Sequence, residues 1–230
     1  MKGKKYLSSV SKLDRAKSYT VEEAVKLVKE TSITKFDSSV EVAMNLNIDT
    51  KKSDQQLRGS IVLPNGTGKS KKILVLAKGA AAAEAKEAGA DFVGDTDLID
   101  KIANENWFDY DTIVATPEMM PALGKIGKVL GPKGLMPNPK TGTVTTTPAK
   151  TVTDIKKGMV EYRADSLGNV HGIIGKVSFD EKALSENLTY FINTIIKSKP
   201  TTIKGKFVKS ISICTTMGPG IKIDLNSFDK

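Results

Sequence analysis

The 230-residue chain is predicted to form an α+β discontinuous domain with an inserted α/β domain, Rossmann-like with a parallel sheet. Near both ends of the chain, apolar and polar residues alternate strictly, which is typical of strands with one buried face. In the middle, short apolar runs are followed by helical segments, which is typical of a parallel sheet. We therefore expect one domain over residues 1–67 and 159–230, and an inserted domain over residues 68–158.

The N-terminal segment predicts a helix followed by two strands. Thr20 and Glu23 have the spacing of a capping box, which opens a helix. Residues 40–48 alternate in the period of a strand, and residues 57–63 repeat that pattern after a polar link. The two strands are therefore expected to pair with each other in antiparallel orientation.

The middle of the chain repeats a strand and helix pattern. Residues 73–77 are continuously apolar, as expected of a parallel strand covered on both faces. An alanine-rich helix is expected over residues 80–88, and short strands over residues 91–93 and 112–115. Between these two strands, Thr96 is expected to cap a helix.

The C-terminal segment returns to alternating strands. Strands are expected at residues 160–163 and 170–177, joined to each other around residues 165–169. Ser178 and Glu181 have capping-box spacing before a helix, whose predicted apolar stripe consists of Leu184, Leu188, Phe191 and Ile195. Further strands are expected at residues 206–215 and 221–225.

Charge indicates a polyanionic partner. Lys and Arg number 35 against 26 Asp and Glu, a net charge of +9, and aromatic residues make up 6%. This balance favours binding through backbone phosphates over binding through stacked bases. By segment, the two ends together carry +7 and residues 68–158 carry +2.

Several classes of function are excluded by composition. The apolar runs are too short to span a bilayer, and the basic start has no apolar stretch behind it, so we expect a cytoplasmic protein with no membrane partner. One cysteine (Cys214) and one histidine (His171) rule out an internal disulfide and a Cys/His zinc site. We expect no metal ligands and no catalytic residues.

A phosphate-binding loop is the main alternative that the sequence raises. Gly66–Ser70 reads GTGKS, but the position five residues before Gly68 is Leu63 where the motif needs glycine, and a predicted strand follows where it needs a helix. We interpret the segment as an interdomain linker. A nucleotide-using enzyme in the inserted domain and a nonspecific DNA-coating protein remain alternatives.

Two segments are candidates for RNA contact. The strand ending at Thr216 has a small, hydroxyl-rich face that includes Ser210, and such a face lets an RNA backbone approach closely, although an ordinary solvated face has the same composition. Residues 124–142 contain five glycines and three prolines, so no regular helix or strand is expected there. That segment carries Lys125, Lys128, Lys133 and Lys140, and is either a mobile solvated loop or a binding surface.

Several long motifs that contain glycine resemble those of a known protein family. They are LGPKGLMPNPKTGTVT at 130–145, NVHGIIGKVSF at 169–179 and TTMGPGIKID at 215–224, together with VEEAVKLVKE at 21–30. The sequence resembles the bacterial large-subunit ribosomal protein L-one family, the mobile-stalk proteins, over essentially its whole length. At position 133 the family would be expected to have Arg at least as often as the Lys found here.

The resemblance implies a two-domain ribosomal protein without catalytic activity or cofactor, monomeric off the ribosome. Its implied partners are the stalk region of large-subunit ribosomal RNA, the deacylated tRNA that it helps to release from the exit site, and the messenger RNA of its own operon, whose translation it represses. By matching motif, the implied RNA-binding residues are Lys35, Phe36, Arg163, His171, Gly172, Ser210, Thr215, Thr216, Met217, Gly218 and Pro219. Secondary RNA contacts would come from Lys125, Lys128, Lys133 and Lys140.

Overall fold

The computed structural model describes residues 3–228 and divides the chain into two compact units. One unit runs to Gly68 and resumes at Val160, and the other is Lys69–Met159, so each boundary falls one residue after the one drawn from the sequence. In chain order the helices are α1 (Lys4–Val10), α2 (Val21–Glu30), α3 (Ala80–Glu87), α4 (Thr96–Glu105), α5 (Met120–Lys125), α6 (Gly127–Leu130), α7 (Pro148–Lys156) and α8 (Glu181–Lys197). The strands are β1 (Ser39–Leu46), β2 (Arg58–Val62), β3 (Ile73–Leu76), β4 (Phe92–Gly94), β5 (Thr112–Ala115), β6 (Met159–Arg163), β7 (Asn169–Lys176), β8 (Val208–Thr215) and β9 (Ile221–Ile223).

The discontinuous unit is built on a four-stranded sheet in the order β7-β1-β8-β9. β1 pairs antiparallel with both β7 and β8, and β8 pairs antiparallel with β9. Helices α2 and α8 pack on one face, where the alternating apolar residues of β1 are buried against the α8 stripe. The predicted capping box is present, because Thr20 Oγ1 accepts from the Glu23 N–H and the Glu23 carboxylate accepts from the Thr20 N–H.

One predicted strand pairing is wrong. β2 does not pair with β1, because β7 and β8 occupy both edges of β1; β2 pairs with β6 in a separate two-stranded sheet. Residues 165–169 connect β6 to β7, and an isolated bridge joins Ala164 to Val170. Alternation shows that one face of a strand is buried, but it does not identify the neighbouring strand.

Helix α8 has its predicted stripe but not its predicted cap. Leu184, Leu188, Phe191 and Ile195 are all fully buried. Asp180 occupies the N-cap position without a side-chain cap, while the Ser178 N–H and hydroxyl both donate to the Asp37 carboxylate. Ser178 is therefore bonded to Asp37, a residue distant in sequence, and does not cap α8 as the sequence pattern predicts.

The inserted unit contains a three-stranded parallel sheet in the order β4-β3-β5. β3 is central and every residue in it is buried, as the continuous apolar run predicts. The fold class is therefore confirmed as α+β with an inserted α/β unit. The cap of α4 differs from the prediction, because Asp95 is the N-cap residue and its carboxylate accepts from the Thr96 N–H.

Residues 124–142 are more regular than the sequence indicates. The end of α5 and all of α6 lie within them, and residues Pro139–Thr141 form a 3-10 turn, so the expectation of no regular helix is wrong. Leu123, Ile126 and Leu130 have helical spacing and are buried in the core of this unit. Burial of this stripe outweighs the cost of about 1 kcal/mol for each glycine in a helix. Within residues 3–228, no helix is both long and apolar enough to cross a membrane.

Gly172 tests how tightly α8 packs against the sheet. A Cβ at this position would lie 2.5 Å from Cε2 of the buried Phe191 ring. We expect Gly172→Ala to lower the free energy of unfolding by about 1–3 kcal/mol, because the ring must shift in a close-packed core. Urea unfolding measures this. Gly220→Ala is the matched control, because a Cβ there meets nothing within 4 Å; equal stability of the two variants would contradict the packing argument.

Candidate nucleic-acid interface

The face of the four-stranded sheet opposite α2 and α8 carries mainly small and polar side chains. Strand register arranges them in three rows across the sheet. We call this surface the outer face, and its rows are Asn169–Asn45–Ser210, His171–Ala43–Ser212–Lys222 and Ile173–Glu41–Cys214. Because the middle of the surface is formed by alanine, serine and cysteine, a bulky ligand can approach the backbone closely.

A chain of hydrogen bonds orients one row of the outer face. Asn45 Nδ2 donates to Asn169 Oδ1 at 2.6 Å, and Asn169 Nδ2 donates to Asp165 Oδ2 at 3.0 Å. Hydrogen bonds from the Asn169 side chain and backbone lower the pKa of Asp165, and the nearby His171 imidazole lowers it by a smaller amount. His171 Nε2 lies 3.9 Å from Asp165 Oδ2, so the only histidine of the chain is positioned beside a carboxylate.

Cys214 is a half-buried member of the same face. Burial raises the pKa of its thiol, and the neighbouring Glu41 carboxylate raises it further. A thiol with a raised pKa is protonated at neutral pH and is a poor nucleophile. The residue is a small neutral side chain of the surface.

The turn after β8 is fixed to the start of β1. The Thr216 N–H donates to the Ser39 carbonyl at 3.0 Å, and the Ser39 N–H donates to Thr216 Oγ1 at 3.2 Å. Lys35 and Phe36 lie a few residues before Ser39, so they and the turn lie at the same end of the sheet. We call Lys35, Phe36, Thr216 and Met217 the strand-end rim.

The rim displays two apolar side chains to solvent. Phe36 is 61% exposed and Met217 is 72% exposed. Met217 also has a φ of +66°, a left-handed conformation that costs a residue with a side chain about 1–2 kcal/mol. Gly218 follows it, where a Cβ would collide with Thr215 Oγ1. A strained backbone that presents an exposed apolar side chain is typical of a binding surface.

A comparison with protein families identifies the family of the chain. The model of the ribosomal protein L1p/L10e family matches residues 28–219. The chain belongs to this family. Its members are large-subunit ribosomal proteins that bind ribosomal RNA, and the family is one of structural RNA-binding proteins and not of enzymes. The resemblance drawn from the sequence motifs is thereby confirmed at the level of the family.

The structure places the RNA-binding residues implied by the resemblance in three settings. On the outer face or the rim lie His171 and Ser210, and Lys35, Phe36, Thr216 and Met217. Gly172, Thr215 and Pro219 are buried, so these residues lie beneath the surface instead of lining it. Gly218 is half-buried in the turn, and Arg163 is exposed at the end of β6, outside the four-stranded sheet.

Eight residues of the outer face are absent from that set although the structure places them beside it. They include Ala43, Asn45, Asn169 and Lys222. The alternation of apolar and polar residues along β1 and β9 indicates which residues of these strands point away from the core. The register that puts them next to His171 and Ser212 depends on pairing between distant segments, and that cannot be read from spacing.

The four lysines of residues 124–142 are exposed in the inserted unit, but the segment that carries them is not a solvated loop. Lys133 Nζ lies 3.8 Å from the Phe108 ring centroid. The Asn138 N–H donates to Thr143 Oγ1, and its carbonyl accepts from the Thr141 and Thr143 hydroxyls. These bonds and a bridge between Ala115 and Val144 hold the segment beside β5.

The Gly66–Ser70 segment is a linker that a buried side chain of α8 fixes in place. Asn187 Oδ1 accepts from the Asn65 N–H, and its Nδ2 donates to the carbonyls of Gly66 and Ile174. The next regular element is the strand β3. The geometry therefore lacks the loop and helix that a phosphate-binding site of this type requires.

Thr216→Val tests the bond between the turn and β1. The change leaves the Ser39 N–H without its acceptor, so we expect the free energy of unfolding to fall by about 1 kcal/mol. Thr216→Ser retains the hydroxyl and should restore most of that loss. Urea unfolding of the three proteins measures the effect. If the valine and serine variants are equally stable, the hydroxyl does not hold the turn.

Met217→Gly separates stability from binding at the rim. Glycine accepts a positive φ without strain, so we expect the variant to be as stable as the parent or more stable, while its affinity for stalk ribosomal RNA falls about 10-fold because an exposed apolar contact is lost. Leu167→Ala is the control, since Leu167 is 78% exposed and precedes β7 at the opposite end of the strands. Equal loss of affinity in both variants would argue against a specific role for Met217.

Proposed function

We propose that this chain binds the stalk region of large-subunit ribosomal RNA through the outer face and the strand-end rim. The observation that supports this most is the combination, in one surface, of small hydroxyl and amide side chains in the middle and exposed Phe36 and Met217 at one end. RNA offers ribose hydroxyls and phosphates that suit the first, and unstacked bases that suit the second. Family membership supplies the class of ligand.

Charge and shape have separate roles in this proposal. The discontinuous unit carries +7 of the net +9, which attracts RNA of any sequence and makes affinity depend on salt. Preference for one RNA would come from the close fit at Ala43, Ser210 and Ser212. Glu41 also lies on this face, where a carboxylate repels phosphate but accepts hydrogen bonds from ribose hydroxyls or base amino groups.

Secondary contacts are assigned to the inserted unit. Lys125, Lys128, Lys133 and Lys140 are exposed, and each adds a positive charge with a flexible stem. Residues 119–158 contain seven lysines and one acid, Asp154, which favours a polyanion on this part of the unit. Arg163 is assigned a peripheral RNA contact in the discontinuous unit.

Two further roles follow from the motif resemblance. The chain would assist the release of deacylated tRNA from the exit site of cytoplasmic ribosomes, and it would repress translation of its own operon. Repression requires the same outer face to bind a similar structure in the messenger RNA. The two RNAs would then exclude each other, so ribosomal RNA should displace the messenger RNA from the protein.

The proposal predicts that the discontinuous unit alone retains specific binding. A chain that joins residues 1–68 to 160–230 through a short linker contains the whole core around β1, and should fold. Its affinity for stalk ribosomal RNA should stay within about 10-fold of the full chain, because the four lysines of the inserted unit make only secondary contacts.

Filter binding with stalk ribosomal RNA, challenged by excess bulk RNA and duplex DNA, measures this preference. Residues 69–159 alone are the control and should show no preference. A folded joined chain that binds stalk RNA, bulk RNA and duplex DNA equally would overturn the assignment of the site. The same result for the full chain would favour a nonspecific coating protein.

A further inference from the structure

A second basic surface lies where the N-terminal segment packs on the β9 edge of the four-stranded sheet. The Tyr19 N–H donates to the Lys222 carbonyl at 3.0 Å, and the Asp224 N–H donates to the Tyr19 carbonyl at 2.8 Å. The buried Tyr19 ring anchors this contact, and its hydroxyl accepts from the Asp14 N–H at 3.0 Å. The segment before α2 therefore continues the sheet by one residue and is fixed to its edge.

A cleft of about 420 Å³ opens between this segment and β9. Its basic side chains are Arg15, Lys17 and Lys222, and Tyr6 and Tyr19 form part of its wall. A volume of this size is within the range of roughly 300–1,000 Å³ that is usual for small-ligand sites. The cleft can therefore admit a group as large as a sugar-phosphate unit.

Arg15 and Lys17 each contact a tyrosine of the cleft wall. Arg15 Nη2 donates to the Tyr6 hydroxyl at 3.2 Å, and this is the hydrogen bond that the guanidinium makes within residues 3–228. Its other N–H groups can donate to a phosphate in the bidentate manner that favours arginine. Lys17 Nζ lies 5.0 Å from the Tyr19 ring centroid and 3.9 Å from Glu23 Oε1. That ion pair is exposed at both ends and therefore weak.

The acidic residue of the cleft does not offset these charges fully. Asp14 Oδ1 accepts from the Ala16 N–H at 2.9 Å, so a local turn already engages this carboxylate. Residues 3–19 contain five basic side chains against Asp14 alone. An anion is the ligand class that this balance favours.

The cleft is continuous with the outer face. Lys222 belongs to the row His171–Ala43–Ser212–Lys222 and also lines the cleft, so the cleft begins where that row ends. Every residue that lines it falls outside residues 28–219, the range that the family model matches.

We propose that this cleft binds the phosphate backbone of the RNA strand that leaves the outer face across β9. The inference rests on the proposed function, because continuity with an RNA-binding face is what selects RNA over other anions. Arg15 and Lys17 contact phosphates, and Lys222 connects the two surfaces. The cleft adds affinity and extends the footprint on the RNA without reading its sequence.

The test compares full-length variants on stalk ribosomal RNA. Arg15→Gln with Lys17→Gln should weaken binding about 10-fold at moderate salt and reduce the slope of log affinity against log salt by about 1–2, because up to two phosphate contacts are lost. Hydroxyl-radical footprinting should show loss of protection at one edge of the protected region. Arg15→Lys with Lys17→Arg retains both charges and should retain the slope.

Lys26→Gln with Lys182→Gln is the matched control for net charge, because both lysines are exposed on α2 and α8, the helices that cover the other face. This pair should leave the footprint unchanged and should barely change the slope of log affinity against log salt. Thermal unfolding checks that all variants are folded. If the two glutamine pairs have equal effects, the cleft makes no specific contact and the inference is wrong. If the parent protein itself shows no preference for stalk RNA, the proposed function fails instead.

Discussion

The structure of the larger unit depends on the pairing of one strand, β1, with two strands from the far end of the chain. Both edges of β1 are occupied, by β7 and by β8, and its inward side chains form the centre of the core. Neither the N-terminal nor the C-terminal part of this unit can bury its apolar face without the other. The insertion of a second unit is compatible with this only because that unit has a core of its own around β3. The registers of these strand pairings also align the residues of the outer face in rows.

The two faces of the sheet separate stability from recognition. The inward face supplies burial, with Phe191 filling the space above Gly172, while the outward face has small side chains whose loss would open no cavity. Polar groups on the outward face are oriented by hydrogen bonds along the surface, as in the row of Asn45 and Asn169. In the proposed complex, a row ordered in this way loses less conformational entropy on binding.

The sequence predicts those features that local pattern determines. The capping box of Thr20 and Glu23, the buried run of β3 and the stripe of α8 are all present, because each depends on residues within one element. The predicted pairing of β1 with β2, the predicted cap by Ser178 and the expectation of no regular helix within residues 124–142 were wrong, since each was decided by contacts with residues distant in sequence. For the site, the motifs indicated the rim, but whether Gly172 and Thr215 lie beneath the surface or on it depends on the side of the sheet to which they point.

The chain order of the central sheet has a consequence for synthesis. More than 100 residues separate the end of β1 at Leu46 from the start of β7 at Asn169, and β8 follows later still. At roughly 5–20 residues per second, β1 waits on the order of ten seconds for its partners. During that time its apolar side has no sheet to join, while the inserted unit can already fold. An unfinished chain therefore has no complete outer face, and only finished copies of the protein can compete for RNA.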